Sequence, residues 1–464
     1  MDVKGKRVLV VGLGKSGIAS ALFLADQGAR VAVSDTKSEE DLHHEIPLLL
    51  DRGIGVEAGY HGERTFKEQE LIVISPGVPS DVPQLMQARQ AGIPVIGEVE
   101  LAARYLKGQI VAITGSNGKT TTTVLAGEII AASGQKALVG GNIGTPAISF
   151  VEKASDDTWI VLEVSSFQLE TIETFHPKIA VVLNVTPDHL DRHHTFANYA
   201  AAKARIFENQ TSNDFAVLNA DDATCGAMGD KTRAAVYWFS RQHFVEHGAF
   251  LRGDGIIWRD ADSEQTIMPV AEIGLKGAHN VENVLAGICI GMLAGVDPAD
   301  IRRAVANFKA VEHRLEYVAT IRGVGYYNDS KATNVDATIK ALESFAIGIH
   351  LILGGKDKGS DYSLLNPLLE QRVKRVYTIG AAASKIEAQI KGTHVVNART
   401  LDNAVRQASE SATPGDIVLL APACASFDQF VSYEHRGRVF KDLVKQIESR
   451  ELQHAGGRRA GGKE

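Results

Sequence analysis

Residues 109–122, Gln-Ile-Val-Ala-Ile-Thr-Gly-Ser-Asn-Gly-Lys-Thr-Thr-Thr, narrow the folds open to this chain more than any other stretch. Gln109–Thr114 is a short β-branched run that suits a buried strand. Gly115, Ser116, Asn117 and Gly118 make a turn. Lys119 and Thr120 then open a stretch with Val124, Leu125, Ile129 and Ile130 at helical spacing. Strand, glycine turn and helix start together form a phosphate cradle. Backbone N–H groups converge on phosphate oxygens, the helix N-terminus adds partial positive charge, and Lys119 adds a full one. The Thr120 hydroxyl is placed to ligate Mg²⁺. The usual loop of this kind has four residues between its glycines; here there are two, with Ile113 where the first glycine would stand. It is a shortened variant. The alternative, a glycine turn with a chance Lys-Thr, leaves the correctly placed strand and helix unexplained.

A second glycine turn stands near the start. Residues 7–11 read as a strand, Gly12-Leu13-Gly14-Lys15-Ser16-Gly17 follows, and 18–27 reads as a helix. A strand over 30–34 ends at Asp35. The bare motif says dinucleotide, yet the same geometry holds any diphosphate, a nucleotide sugar included. After a strand at 71–74, Ser75-Pro76-Gly77-Val78-Pro79 is either a second wall of that site or a plain turn. Gly97-Glu98 reads as a hinge into the next unit.

Length alone suggests roughly three domains at ~150 residues each. Strands alternating with helices give α/β domains throughout: an N-terminal Rossmann-like sheet over 1–97, a central P-loop-type ATPase sheet over 98–308, and a C-terminal Rossmann-like sheet over 309–452. The Gly- and Arg-rich tail, 453–464, is expected to be disordered. A net charge of −7 supplies no basic field for nucleic acid. Cys225, Cys289 and Cys424 match no zinc or disulfide spacing, which fits a reducing cytoplasm. The start runs straight into a strand rather than a signal peptide, and no apolar run is long enough for a bilayer.

Polar residues gather at strand ends, where open α/β sheets bind ligands. Glu163 ends a strand at 159–162, and 179–183 leads into Asp188-His189-Leu190-Asp191-Arg192-His193-His194. The three histidines lack a zinc helix spacing and would ordinarily be surface or structural; His189 follows a strand end on the same edge as Glu163. Lys203, among alanines in a helix over 199–207, would ordinarily be a solvated charge. Residues 140–146 are too glycine-rich for strand or helix. Asn280 and Asn283, ahead of a helix at 284–294, share a face and either reach a nucleotide or cap the helix. In the last unit, the polar stretches 328–334, 354–359 and 421–428 follow three strands. A nicotinamide-dependent oxidoreductase would use Gly12–Gly17 by motif but leaves the phosphate loop unexplained, and a non-catalytic nucleotide-dependent scaffold is the third class.

These stretches closely resemble the Mur ligases, ATP-dependent amide-forming enzymes of peptidoglycan synthesis, over nearly the whole chain. The loop 114–121 is similar to the family's ATP loop. Residues 188–193, 328–334 and 422–430 look like its D-glutamate-adding branch, and the Asp-Asn-Pro-Arg motif of the diaminopimelate- or lysine-adding relatives is absent. The resemblance implies that D-glutamate is joined to UDP-N-acetylmuramoyl-L-alanine through an acyl phosphate, with ATP and two Mg²⁺ sites, by a cytoplasmic monomer without membrane insertion. By resemblance, Gly115, Ser116, Asn117, Gly118, Lys119, Thr120, Thr121, Asn280, Asn283, Arg314, Asp329 and Lys331 serve ATP. Thr120, Glu163, His189 and Lys203 serve metal, with Lys203 carrying a CO₂-derived carbamate. Gly14, Lys15, Ser16, Asp35, Thr36, Gly77 and Asn142 serve the UDP-substrate, Asn142 orienting its reacting end. His189, Thr333, Lys358, Ser426 and Phe427 serve D-glutamate; the resemblance leaves open whether Lys356 or Lys358 makes that contact.

Overall fold

The computed structural model describes residues 1–275, 278–309 and 312–460. Three sheets organise them. The first holds β1 (Arg7–Val11), β2 (Arg30–Asp35), β3 (Gly55–Ala58), β4 (Leu71–Ile74) and β5 (Val95–Gly97), in the order β3-β2-β1-β4-β5 and parallel throughout. Val8, Leu9, Val10 and Val11 are wholly buried. Such an unbroken apolar run is what a parallel strand covered on both faces requires.

The second sheet holds β6 (Gln109–Thr114), β7 (Ala137–Gly141), β8 (Trp159–Glu163), β9 (Ile179–Val182), β10 (Phe215–Asn219), β11 (Ala235–Ser240), β12 (Gly248–Arg252), β13 (Gly255–Asp260) and β14 (Ser263–Pro269). Their order is β14-β13-β12-β11-β10-β9-β6-β8-β7. Two differences from the sequence reading stand out. The Gly140-Gly141 pair is strand after all, because a Cβ on Gly140 would strike the Thr145 carbonyl and the Phe150 ring, and one on Gly141 the Glu163 carbonyl. Those glycines permit close approach rather than looseness. The antiparallel strands β12–β14 were not anticipated, although Gly253-Asp254 between β12 and β13 is a hairpin signal.

The chain divides into two compact units. The first contains both of these sheets, together with residues 194–273 and 280–308. The expected hinge at 97–98 is tied down within it. Glu98 is 1% exposed and accepts the Ile148 N–H at 2.8 Å, while Glu100 accepts the N–H groups of Glu173, Thr174 and Phe175. Buried carboxylates persist only when hydrogen-bonded or neutralised, so these acids fasten the segment.

The second unit contains residues 186–193, 274–279 and 309–464. Its sheet holds β15 (Glu316–Ile321), β16 (Val324–Asn328), β17 (Ile349–Gly354), β18 (Val373–Ile379), β19 (His394–Arg399) and β20 (Ile417–Leu420), ordered β15-β16-β20-β17-β18-β19. The final helix runs from Tyr433 to Ala460, so the tail expected to be disordered from 453 is helical as far as 460. No glycine or proline interrupts the chain between Gly437 and Gly456, and extending a formed helix is easier than starting one. Residues 461–464 lie outside the described residues. Among the described residues no helix is long and apolar enough to cross a membrane.

Candidate active site

In the first unit, the glycine turn after β1 opens one wall of a cavity of about 420 Å³. Gly14, Lys15, Ser16, Asp35, Thr36 and Gly77 all line it, as does the whole loop 75–79, so the proline-rich stretch is a wall. Gly17 is forced by packing, since a Cβ there would overlap the Gly12 carbonyl. Asp35 is mostly occupied with backbone: its carboxylate accepts the N–H of Leu13 at 2.5 Å and of Lys37 at 2.8 Å. It braces the turn.

The second glycine turn follows β6, with β8 and β9 on either side. Gly115 and Gly118 have φ of +152° and +83°, the region glycine favours. Asn184, after β9, holds the loop by accepting the Asn117 N–H at 2.8 Å and donating to its carbonyl at 3.1 Å. Lys119 starts the helix Lys119–Ala132 and curls over the loop, its Nζ donating to the Gly115 and Ser116 carbonyls at 2.8 Å each. Thr120 donates to Glu163 Oε2 at 2.6 Å, and Asn142 donates to Glu163 Oε1 at 2.9 Å. Register explains this meeting: Gly141, Glu163 and Ile113 lie side by side on β7, β8 and β6.

Lys203 is 1% exposed, not the solvated charge of an ordinary helix lysine. Its Nζ donates to the Gly115 carbonyl at 2.8 Å and lies 4.5 Å from the Tyr199 ring centre. Tyr199 in turn hydrogen-bonds Ser116 at 3.1 Å. Asn280 and Asn283 are buried inside the helix Ala278–Leu293, which begins earlier than expected, so they do not cap it. Asn283 accepts from Thr122 at 3.3 Å and donates to Asn280 at 3.1 Å. Its side chain fills the space a Cβ on Gly118 would need. Thr121 is buried in the first turn of the phosphate helix.

In the second unit, the ends of the neighbouring strands β16, β20 and β17 carry the remaining candidates. Asp188 organises one group: Lys358 donates to Oδ1 and Asn334 to Oδ2, each at 2.9 Å. Burial alone would raise this carboxyl, but Lys358, His189 and Asn334 hold it far below the usual range. Lys358, beside Asp188, is therefore the inward lysine, whereas Lys356 is exposed and pairs through its backbone with Ala425. Thr333 precedes Asn334, and His189 stands 3.6 Å from Asp188 with φ +53°. Ser426 is 3% exposed and Phe427 68%.

Asp329 lies among Arg314 and Lys331; burial pushes its carboxyl up to about 6 against their pull. Lys331 Nζ stands 5.2 Å from the Tyr433 ring centre. Sequence reading missed Arg436. It is wholly buried and donates to Ser330 Oγ at 2.9 Å, the Ser330 carbonyl at 2.8 Å and the Cys424 carbonyl at 3.1 Å. It clamps the loops carrying Asp329 and Ser426, and nothing near it in the chain signals that. Glu312, His313 and Glu316 also converge, but Lys441 bridges both carboxylates, at 2.5 and 2.9 Å.

Three family models match the chain: the Mur ligase MurD-like N-terminal domain over residues 6–97, the Mur ligase middle domain over 113–291, and the Mur ligase glutamate ligase domain over 313–424. The chain is 69% identical to a UDP-N-acetylmuramoylalanine–D-glutamate ligase of Koribacter versatilis (strain Ellin345), over 97% of this chain and 100% of that one. It is 60% identical to the ligase of that name from Acidobacterium capsulatum, over 96% and 97%. Among solved structures, a pseudomurein peptide ligase type C from Methanothermus fervidus aligns with TM-score 0.61 at 19% identity, covering 96% of this chain and 100% of that one. UDP-N-acetylmuramate-alanine ligase from Thermotoga maritima aligns with TM-score 0.59 at 19% identity, covering 96% and 99%. These two likenesses concern the fold.

Proposed function

The chain belongs to the Mur ligase family, and on that premise we propose that it joins D-glutamate to UDP-N-acetylmuramoyl-L-alanine, consuming ATP, in cytoplasmic peptidoglycan precursor synthesis. The observation that carries this reading is the end-to-end likeness to D-glutamate ligases at 69% identity. The phosphate loop, with Glu163 gripped by Thr120 and Asn142, supplies matching chemistry.

A carboxylate is a poor electrophile for an amine. Transfer of the γ-phosphoryl group from ATP to the L-alanyl carboxylate makes an acyl phosphate and ADP. The neutral amine of D-glutamate then attacks the carbonyl carbon, and phosphate leaves as the amide forms. Lys119 would exchange its loop carbonyls for phosphoryl oxygens and offset their charge. Asn142 would orient the muramoyl arm. Thr120 and Glu163 offer buried oxygen donors 2.6 Å apart, the ligand type Mg²⁺ prefers. They would hold that ion, whose charge further neutralises the phosphoryl group. Asn280, Asn283, Arg314, Asp329 and Lys331 would serve the nucleotide. Thr333, Lys358, Ser426 and Phe427 would hold D-glutamate, Lys358 leaving Asp188 for a substrate carboxylate.

Lys203 belongs to the same reading as a carbamate: its neutral amine adds to CO₂ and releases a proton, turning a cation into an anion. Its burial against the phosphate loop supports the assignment. As an ammonium it would repel a cation held at Glu163. The carbamate and His189 would serve a second Mg²⁺. Phosphate release measured across L-alanine, D-glutamate, L-lysine and meso-diaminopimelate tests the function. Release with D-glutamate alone is expected; release with another of the four instead overturns the choice of amine.

A further inference from the structure

The cavity in the first unit contains a histidine that neither the motifs nor the family likeness led us to single out. His61 lines it beside Asp35, Thr36 and Lys37. Its Nδ1 lies 2.8 Å from Ser34 Oγ, and Ser34 is wholly buried. Ser34 has one hydroxyl hydrogen and two other partners, Glu57 Oε2 at 2.8 Å and the Tyr60 carbonyl at 3.4 Å. Both of those can only accept while Glu57 is ionised.

Glu57 is ionised. Burial would raise its carboxyl, but hydrogen bonds from Thr65, Gly62 and Ser34 and the nearness of His61 lower it below the ordinary value. The Ser34 hydrogen is therefore spent on an oxygen, and Ser34 must accept from His61. That assigns the hydrogen to Nδ1. Burial favours the neutral ring, outweighing the opposite pull of Asp35 and Glu57. Neutral His61 with Nδ1–H has Nε2 as a bare acceptor.

Direction of the ligand follows from the sheet order. The diphosphate belongs at the turn after β1, over the start of the helix Lys15–Asp26. Beyond β4 and β5 the chain continues through the helix Glu98–Ala103 into the sheet that carries Asn142 and the phosphate loop. The reacting muramoyl arm must run that way. The nucleoside arm must run the other way, over β2 and β3, where His61 stands. The carboxylate at that end, Asp35, already holds a backbone N–H on each oxygen.

We propose that His61 reads the pyrimidine ring of the substrate, its Nε2 accepting the N3–H of uracil. This rests on the cavity being the UDP-substrate site. Uracil carries a hydrogen on N3, whereas cytosine presents a lone pair there and 3-methyluracil a methyl group. His61 is thus a specificity-determining residue, and Ser34 and Glu57 are positioning residues that set its tautomer.

The test is equilibrium binding of UDP, CDP and 3-methyl-UDP to the full chain, by competition against a labelled UDP ligand. The unsubstituted protein is expected to prefer UDP over the other two by roughly tenfold or more, the worth of one desolvated hydrogen bond. His61→Phe keeps the ring but drops the acceptor, and should narrow that preference to within about threefold. His61→Gln, which can offer an amide oxygen, should fall between the two and serves if the Phe variant does not fold. Glu57→Gln frees Ser34 to donate to the ring and should also reduce the preference. Equal weakening of all three nucleotides by His61→Phe, an unchanged preference, or no preference in the unsubstituted protein would each overturn the assignment. Phosphate release with D-glutamate separates the two readings. Its absence in the unsubstituted protein breaks the functional reading, whereas an active enzyme whose nucleotide preference ignores residue 61 breaks only this one.

Discussion

The glycine turn after β1 and the one after β6 each lead a strand into a helix start, through an extended Gly14 in the first and a left-handed Gly118 in the second, and they differ further in the company their side chains keep. At the first, the acid that follows is turned inward: Asp35 takes the Leu13 N–H, and Ser75 donates to the Gly12 carbonyl at 2.7 Å. The turn is bolted in place and its cavity wall is fixed. At the second, the acid comes from the neighbouring strand and meets the first helical turn, so Glu163 grips Thr120 instead of the loop backbone. Two lysines, Lys119 and Lys203, both contact the Gly115 carbonyl. Backbone geometry makes a site that holds phosphate; converging charges of both signs make one that can transfer it. We read the first as the holder and the second as the place of chemistry.

Lys119→Ala is expected to break the second turn alone. Phosphate release should fall by about a thousandfold or more, as loss of a charge on the transferred group does. Affinity for the UDP-substrate, measured by calorimetry, should stay within about threefold, since Lys15 and its cavity are untouched. An equal fall in both would merge the two sites. Next in size, Lys203→Ala should cost roughly a hundredfold, a typical value for losing one electrostatic group at such a site. Added short-chain carboxylic acids should restore part of the rate by standing where the carbamate would. Full activity in the Ala variant removes the carbamate from the scheme.

Lys15→Ala is the mirror experiment. KM for the UDP-substrate should rise about tenfold with kcat little changed, the signature of lost uniform binding. A fall in kcat at unchanged KM would make the first turn a catalytic element and erase the contrast. The smallest effect concerns the segment between the turns. Glu98 is buried, its Oε2 lacks a hydrogen-bond partner, and burial pushes its carboxyl up to about 7 despite the N–H groups of Ile148 and Ala147. The folded state thus holds a proton that the unfolded state releases above its ordinary value of 4.5, so stability falls as pH rises from 4.5 to 7. Glu98→Gln should melt close to the parent at pH 5 and higher at pH 8, by at most about 3 kcal/mol. Equal melting at both pH values would mean that Glu98 is ionised when folded.

Both glycine turns were legible from the chain alone, as were the strands entering them and the helices leaving them. That information is local: a left-handed φ, an absent Cβ and a helix start all depend on residues within a few positions. The cavity gathers every residue assigned to the UDP-substrate except Asn142, which the structure brings to Glu163 instead. What the chain alone left open was where each charged side chain finds its partner. Lys203 among alanines reads as solvated until the fold buries it against Gly115, 88 positions away. That Lys358 rather than Lys356 turns inward is decided by Asp188, 170 positions from Lys358. Arg436 carries no signal until its carbonyl partners arrive from Ser330 and Cys424. Local sequence determines which backbone shapes can hold a phosphate, because those shapes follow from short-range sterics. Only the tertiary structure decides which charges are buried and paired, because a buried charge is tolerated by partners that chain order does not bring near.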